Sequence, residues 1–408
     1  MTLAELQGKK IAIAGLGVNN QGLVDYFREK NIKFETLEWE SWPELDEKLQ
    51  PFEVLFRTPG LPYASLPITR ALNRGILVYS QTKLFFDLCP CPIIGITGTK
   101  GKGTTANLVY QILKQGGRKV WLAGNVGRDP FDFLDELVSD DLVVLELSSF
   151  QLQDLHKSPK YAVVLNITPD HLNHHKDISE YVEAKSNILR HQSRTDFAVL
   201  SKQLPRWFAK LGAARKLFFD PDEVARMPSR LLGKHNWHNV AAAYTVAKIF
   251  EVDENTIKRV IAEFPPLPHR LNPIRKFKNI LIVDDAFSTN IESTMAAIDS
   301  FDQPVILIVG GYDKGLDFGA LGKKILSSPH IKALIVIGQV APKIISAVAG
   351  YRGQIANGDR SLSEIVRQAM LMAAAGDVVL FSPGTSSFDM FKNEADRGEQ
   401  FEQIVNQL

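Results

Sequence analysis

A chain of 408 residues, 45% of them hydrophobic, is long enough for about two to four domains with cores of their own. With 47 Lys and Arg against 46 Asp and Glu, its net charge of +1 supplies neither a basic footprint for nucleic acid nor a charged face for a membrane. The N-terminus lacks a signal-peptide plan, no apolar run is long enough to span a membrane, and two cysteines, Cys89 and Cys91, suit a reducing cytoplasm better than a zinc site or an unstrained bridge.

Residues 10–14 are expected as a strand, 15–22 as a turn into a helix ending near Lys30, and 34–38 as the next strand. Strand, glycine turn, helix and strand make a Rossmann-like unit, with Glu38 where an acidic side chain meets a ribose hydroxyl. Gly15, Gly17 and Gly22 miss the full dinucleotide spacing, so the unit alone is a weak signal. Residues 54–56 form a further strand. Arg57-Thr58-Pro59-Gly60 turns at its carboxyl end, where open α/β sheets collect ligands, although a purely structural Pro-Gly turn fits equally well.

Residues 93–105 carry the strongest signal. The apolar run Ile93-Ile94-Gly95-Ile96-Thr97 enters Gly98-Thr99-Lys100-Gly101-Lys102-Gly103-Thr104-Thr105, and Leu108, Val109, Ile112 and Leu113 follow at helical spacing. Bare backbone N–H groups and the positive helix end cradle phosphate in such a unit, and Lys102 reaches the outer phosphates, so a nucleoside triphosphate is the expected ligand. The common loop has Ser or Thr directly after its lysine; with Gly103 there, Thr104 or Thr105 is the expected magnesium hydroxyl. Gly116-Gly117 stops the helix, and residues 119–123 form a strand leading to Gly124-Asn125-Val126-Gly127. Residues 141–147 are almost continuously apolar, as in a parallel strand buried on both faces. Glu146 near its end is costly to bury unless it meets a cation, and magnesium is the economical one. Residues 161–167 repeat the pattern and deliver Thr168-Pro169-Asp170-His171, so the loop, Glu146 and His171 all lie at carboxyl ends of parallel strands. His171, His174 and His175 lack the further ligands of a zinc site; one histidine near magnesium or phosphate is expected instead. Lys185, in the helical stretch 180–188, reads without context as a solvated surface lysine.

Strands at 279–283, 304–309, 333–337 and 378–381, separated by helical stretches, make a third doubly wound unit. Their carboxyl ends carry Asp284-Asp285, Gly310-Gly311-Tyr312-Asp313-Lys314, Gly338 and Ser382-Pro383-Gly384-Thr385-Ser386-Ser387. Leu267-Pro268-His269-Arg270 reads as a hinge whose arginine reaches phosphates. The fold expected is therefore three consecutive α/β domains, Rossmann-like at 1–90, phosphate-loop at 91–268 and Rossmann-like at 269–408.

Together these residues resemble the Mur ligases, the ATP-dependent amide ligases of peptidoglycan precursor synthesis, over nearly the whole chain. Gly98 to Lys102 matches the family's ATP loop, though Gly103-Thr104 is closer to the related folylpolyglutamate synthases. Glu146 followed by Leu147-Ser148-Ser149-Phe150-Gln151-Leu152, Asp170-His171-Leu172-Asn173, Leu267-Pro268-His269-Arg270, and Phe391-Lys392-Asn393 with Arg397-Gly398 resemble the D-glutamate-adding branch. His235-Asn236-Trp237-His238-Asn239 is similar to the family's H-N-x-x-N segment, and Lys185 falls where these ligases carry a carbamoylated lysine.

The resemblance implies a cytoplasmic ligase, a monomer, that adds D-glutamate to UDP-N-acetylmuramoyl-L-alanine through an acyl phosphate, with ATP, two magnesium ions and carbon dioxide held as the carbamate. Gly98, Thr99, Lys100, Gly101, Lys102, Gly103, Thr104, Thr105, Asn239, Arg270 and Asp285 would bind ATP. Thr104, Glu146, His171 and Lys185 would hold metal, with Lys102, His171 and Lys185 in the chemistry. Gly15, Leu16, Gly17, Val18, Asn19 and Asn20, with Thr58, Pro59 and Gly60, would cradle the UDP part. Asn125 and Ser148 would lie along the muramoyl group, and Thr289, Lys314 and Ser387 would receive the glutamate carboxylates. This chain has Phe287 where the branch has lysine, Glu394 where it has phenylalanine, and Glu38-Trp39-Glu40 on the uracil side. A superfamily ligase for another amino acid or a folate-type acceptor, and a non-catalytic nucleotide-binding regulator, stay open as alternatives.

Overall fold

The computed structural model describes residues 1–169, 174–358 and 361–408, with Val18 and Asn19 described by backbone alone. His171 lies outside the described residues. Three sheets follow one another, as expected of three consecutive α/β units. The chain divides into two compact units, Met1–Met227 with His238–Ile261, and Pro228–Trp237 with Ala262–Leu408.

The first unit holds two all-parallel sheets. β1 (Ile11–Ala14), β2 (Glu35–Leu37), β3 (Val54–Arg57) and β4 (Leu77–Ser80) are ordered β2-β1-β3-β4. β5 (Ile93–Thr97), β6 (Val120–Gly124), β7 (Leu142–Glu146), β8 (Tyr161–Val164), β9 (Phe197–Ser201) and β10 (Arg215–Phe219) are ordered β10-β9-β8-β5-β7-β6. In each sheet the strand leading to a glycine turn, β1 or β5, sits where chain order reverses, the crevice in which doubly wound sheets bind ligands. Every residue of β5 and β7 is buried, which is what their unbroken apolar runs require. One continuous core joins the two sheets, with Phe27, Phe56 and Phe85 packed in the same cluster as Phe133, Val143 and Leu145. Across that junction Arg57, wholly buried, donates from Nη2 to Asp154 Oδ1 (3.0 Å) and to the Phe150 carbonyl (2.9 Å), and from Nη1 to the Leu61 carbonyl (3.1 Å).

The second unit has β11 (Asn272–Phe277), β12 (Ile280–Asp284), β13 (Val305–Gly310), β14 (Ile331–Ile337), β15 (Gln354–Asn357) and β16 (Val378–Phe381), ordered β11-β12-β16-β13-β14-β15. Only β11 runs antiparallel, against β12. Helices line both faces, and the interior splits into a cluster on each side of the sheet.

One local expectation is corrected. The turn expected through Gly22 ends sooner, because the helix Gly17–Glu29 already contains Val18, Asn19, Asn20 and Gly22. What faces a ligand after β1 is thus a two-residue turn and a helix N-terminus.

Candidate active site

Around β1 the backbone forms a closed cradle. Gly15 has φ +79°, and a Cβ there would lie 2.8 Å from Thr58 Cγ2 and 3.5 Å from the Trp39 ring, so only glycine lets the turns after β1, β2 and β3 approach one another. Asn20 is buried and donates from Nδ2 to the Gly15 carbonyl (2.7 Å), while the Thr58 N–H donates to the Ala14 carbonyl (3.1 Å). Gly15, Leu16, Gly17, Asn20 and Thr58 are thereby brought together, with Pro59 and Gly60 leading away from Thr58. Glu38 is exposed at the end of β2.

The phosphate loop runs from β5 into the helix Lys102–Gln115. Gly101 caps that helix at φ +85°, and a Cβ on it would fall 2.1 Å from Asn239 Oδ1. This closeness ties the loop to the helix His235–Ile249 and places Asn239 beside it, as expected. Thr105 Oγ1 donates to that same Oδ1 (3.3 Å) and is completely buried, whereas Thr104 is half-buried on the first helical turn. Of the two candidate magnesium hydroxyls, the one at Thr105 is therefore spent on the scaffold. Lys102 Nζ donates to the carbonyls of Gly98 (3.2 Å) and Thr99 (3.0 Å), folded back over its own loop.

Glu146 ends β7 in register with Ile96 on one side and Gly124 on the other, and it is only 6% exposed. Lys185 overturns the surface reading: it is 1% exposed. Its Nζ donates to the Gly98 carbonyl (2.8 Å) and to Thr97 Oγ1 (3.3 Å), 4.9 Å from the Tyr181 ring centroid. The amphipathic helix Ile178–Arg190 presents it inward together with Tyr181. An ammonium so placed beneath the phosphate loop has a function or a strong structural duty, since such burial is expensive.

Two residues escaped the sequence reading. Asn166, just beyond β8, accepts from the Lys100 N–H on Oδ1 (2.9 Å), donates from Nδ2 to the Lys100 carbonyl (2.9 Å) and receives the Thr99 N–H on its own carbonyl (2.8 Å), fixing the loop's shape. Tyr181 OH pairs with Thr99 Oγ1 (2.8 Å). Their only signal was position, a polar residue at a strand end and an aromatic one turn before Lys185. His175 is buried, with Nε2 2.9 Å from Ser149 Oγ and its ring stacked on Phe150, while His174 is exposed.

Beside β6 and β7 lies an open cavity of about 380 Å³ lined by Gln81, Asn125, Arg128, Asp129 and Gln151 among others. It contains the expected Asn125; Ser148 caps the short helix Ser149–Leu152, from which Gln151 reaches the cavity. Gln81 Nε2 contacts both oxygens of Asp129 at 2.7 Å, and burial lifts that carboxyl above its ordinary range.

In the second unit the turns after β12, β13 and β16 lock together. The Gly384 N–H donates to the Ser288 carbonyl (2.8 Å), and the Tyr312 N–H to the Ser386 carbonyl (3.0 Å). Buried Arg397 donates to the carbonyls of Thr385 (3.0 Å) and Ala286 (2.6 Å). Lys314 Nζ donates to the Thr289 carbonyl (2.7 Å), so two of the three residues expected around glutamate touch. Ser387 Oγ is buried and has no hydrogen-bond partner among the described residues. Asp285 accepts from Ser288 Oγ, from Ser382 Oγ (2.7 Å) and from the Leu271 N–H (3.1 Å). Burial nevertheless pushes its carboxyl up to about 6. Arg270 is exposed nearby in sequence, and its neighbour His269 is buried against Asp284, whose hydrogen bond raises the imidazole above its usual value.

The chain matches the model of the Mur ligase middle domain over residues 96–217 and that of the Mur ligase glutamate ligase domain over residues 269–384. It is 36% identical to a protein of Acetivibrio thermocellus named UDP-N-acetylmuramoylalanine–D-glutamate ligase, across 99% of this chain and 97% of that one. A protein of the same name from Symbiobacterium thermophilum is 33% identical across 98% of each chain. In fold it is similar to the MurF ligase of Thermotoga maritima solved in complex with ADP, with a TM-score of 0.62 at 18% identity over 99% of this chain and 96% of that one. The UDP-N-acetylmuramate–alanine ligase MurC of the same organism gives 0.60 at 16% over 98% and 99%.

Proposed function

This chain belongs to the Mur ligase family of ATP-dependent ligases, and we propose that it joins D-glutamate to UDP-N-acetylmuramoyl-L-alanine in peptidoglycan precursor synthesis, acting in the cytoplasm on these small molecules. The observation that carries the reading is the whole-length match to relatives of that name, and the site agrees with it residue by residue. We assign residues 1–90 to the UDP-substrate domain, 91–268 to the ATP domain and 269–408 to the amino-acid domain.

Amide formation from a carboxylate needs a leaving group, so the γ-phosphoryl of ATP passes to the alanyl carboxylate to give an acyl phosphate. The amino group of glutamate attacks that carbon, and phosphate leaves with the bonding electrons. Lys102, swung from the Gly98 and Thr99 carbonyls, neutralises charge on the phosphates as transfer proceeds. Magnesium supplies further neutralisation between the anions. The residues present fit two ions: Thr104 and Glu146 offer one set of oxygens, His171 and a carbamoylated Lys185 another. Carbamoylation would replace a costly buried ammonium by an oxygen ligand suited to magnesium. The β1 cradle holds the UDP part, and the cavity with Asn125 and Gln151 takes the muramoyl group. Thr289, Lys314 and Ser387 supply donors for the two glutamate carboxylates.

Phosphate release from ATP with UDP-N-acetylmuramoyl-L-alanine and a panel of D- and L-amino acids at equal concentration tests the reading. D-glutamate should be the best acceptor. Coupling of another amino acid instead would reduce the assignment to an ATP-dependent amide ligase, and no coupling at all would refute it.

A further inference from the structure

We propose that Phe287 is a positioning residue for Arg270: its ring holds the guanidinium, so this side chain acts on ATP binding and not on the amino acid. The inference rests on the reading of Arg270 as a ligand of ATP. An exposed arginine on a flexible stem visits many rotamers, and each contact it makes in a complex loses that freedom unless something confines it beforehand. The guanidinium carbon of Arg270 stands 5.5 Å from the Phe287 ring centroid, within the range where a cation is attracted to an aromatic face.

The platform is itself held. The Phe287 ring is parallel to that of His269, with centroids 5.4 Å apart and an interplanar angle of 4°. The Phe287 N–H donates to the His269 carbonyl (3.0 Å). His269, in the left-handed region at φ +59°, is anchored by Nδ1 on buried Asp284 Oδ2 (2.5 Å). Asp284 is the last residue of β12 and adjoins Asp285, whose charge interacts with Arg270. Strand end, histidine, ring and guanidinium therefore form one chain of contacts that ends at the arginine. A phenylalanine has no donor for a carboxylate, so it cannot do for glutamate what a lysine would, but its face can orient a cation.

The test uses the full-length protein. Affinity for a non-hydrolysable ATP analogue is read by calorimetry, and KM for ATP and for D-glutamate by phosphate release. Phe287→Leu keeps an apolar side chain and removes the aromatic face. It should weaken analogue binding and raise KM for ATP by about two- to fivefold, the span of an exposed cation–π contact, with KM for D-glutamate unchanged. Phe287→Tyr should restore both, and thermal midpoints of the variants separate misfolding from the effect sought. Wild-type nucleotide affinity in Phe287→Leu, a shift confined to the glutamate KM, or a Tyr variant as impaired as Leu would each overturn the proposal. Arg270→Ala is the control on the underlying reading. If it leaves analogue binding intact, Arg270 is not an ATP ligand and the proposal falls with that reading; the calorimetric measurement stands whichever amino acid the enzyme couples.

Discussion

Replacing Gly101 by alanine imposes two costs that can be measured separately. A left-handed backbone costs an L-residue about 1–2 kcal/mol. The new methyl would also sit 2.1 Å from Asn239 Oδ1 and drive that side chain away. This breaks the hydrogen bond from Thr105, a net loss of about 0.5–1.5 kcal/mol. The sum is about 1.5–3.5 kcal/mol, or a fall of about 3–14 °C in the melting midpoint at the sensitivity of a unit of this size. Gly117→Ala isolates the first cost, because Gly117 has φ +82° and open space where its Cβ would go. Urea melts give the two stabilities, and calorimetry with an ATP analogue gives the second readout. Gly101→Ala should be the less stable variant and the only one with weakened nucleotide binding. If the two melt alike and both bind the analogue as wild type does, the loop is not built against Asn239 and the reasoning fails.

Lys102→Ala should fold normally and lose about 2.7–4 kcal/mol of transition-state stabilisation, roughly a hundred- to a thousandfold in kcat; near-normal turnover would remove Lys102 from the chemistry. Lys185→Ala should be almost inactive and partly restored by acetate or another short acid, a rescue that an ammonium role would not give; carbon-13 dioxide NMR of the wild type should show the carbamate. Lys314→Ala should raise KM for D-glutamate far more than KM for ATP, and equal rises would remove Lys314 from the amino-acid site. Asp285, pushed up to about 6 by burial, favours folding while it is protonated; that contribution is full below its ordinary value near 3.8 and is lost as pH rises through 6. Asp285→Asn should therefore gain stability relative to wild type between pH 4 and pH 7.5, by up to about 3 kcal/mol, and a pH-independent difference in urea melts would refute the burial argument.

Elements buried on both faces were legible because nothing but apolar residues can occupy them, which is why β7 and β13 matched their runs within a residue or two. β11 was not. An antiparallel edge strand tolerates Pro273, Arg275 and Lys276, so its pattern resembles a loop. Glycine and lysine mark a phosphate loop by chemistry that few other residues can supply, and those positions came together. The burial of Lys185 depends on which face of its helix meets β5, and the part played by Asn166 on two backbone groups of a distant loop; neither relation has a local signature. Glu394 likewise is the first residue of the helix Glu394–Asn406, where an acid suits the helix dipole, whatever residue the family has there.

The buried pair of Arg57 and Asp154 makes the four-stranded sheet inseparable from its six-stranded neighbour. Both side chains are fully enclosed, so removing either partner strands the other charge away from water, a loss of about 3–5 kcal/mol. The aromatic cluster around Phe27, Phe56 and Phe85 continues across the same junction, so neither sheet has a complete interior alone. The nucleotide-sugar cradle and the ATP loop consequently sit on one cooperative body that melts in a single step. Swapping only the first sheet between relatives, to graft one acceptor specificity onto another's ATP chemistry, would have to carry the arginine, its carboxylate and the shared aromatic layer across together.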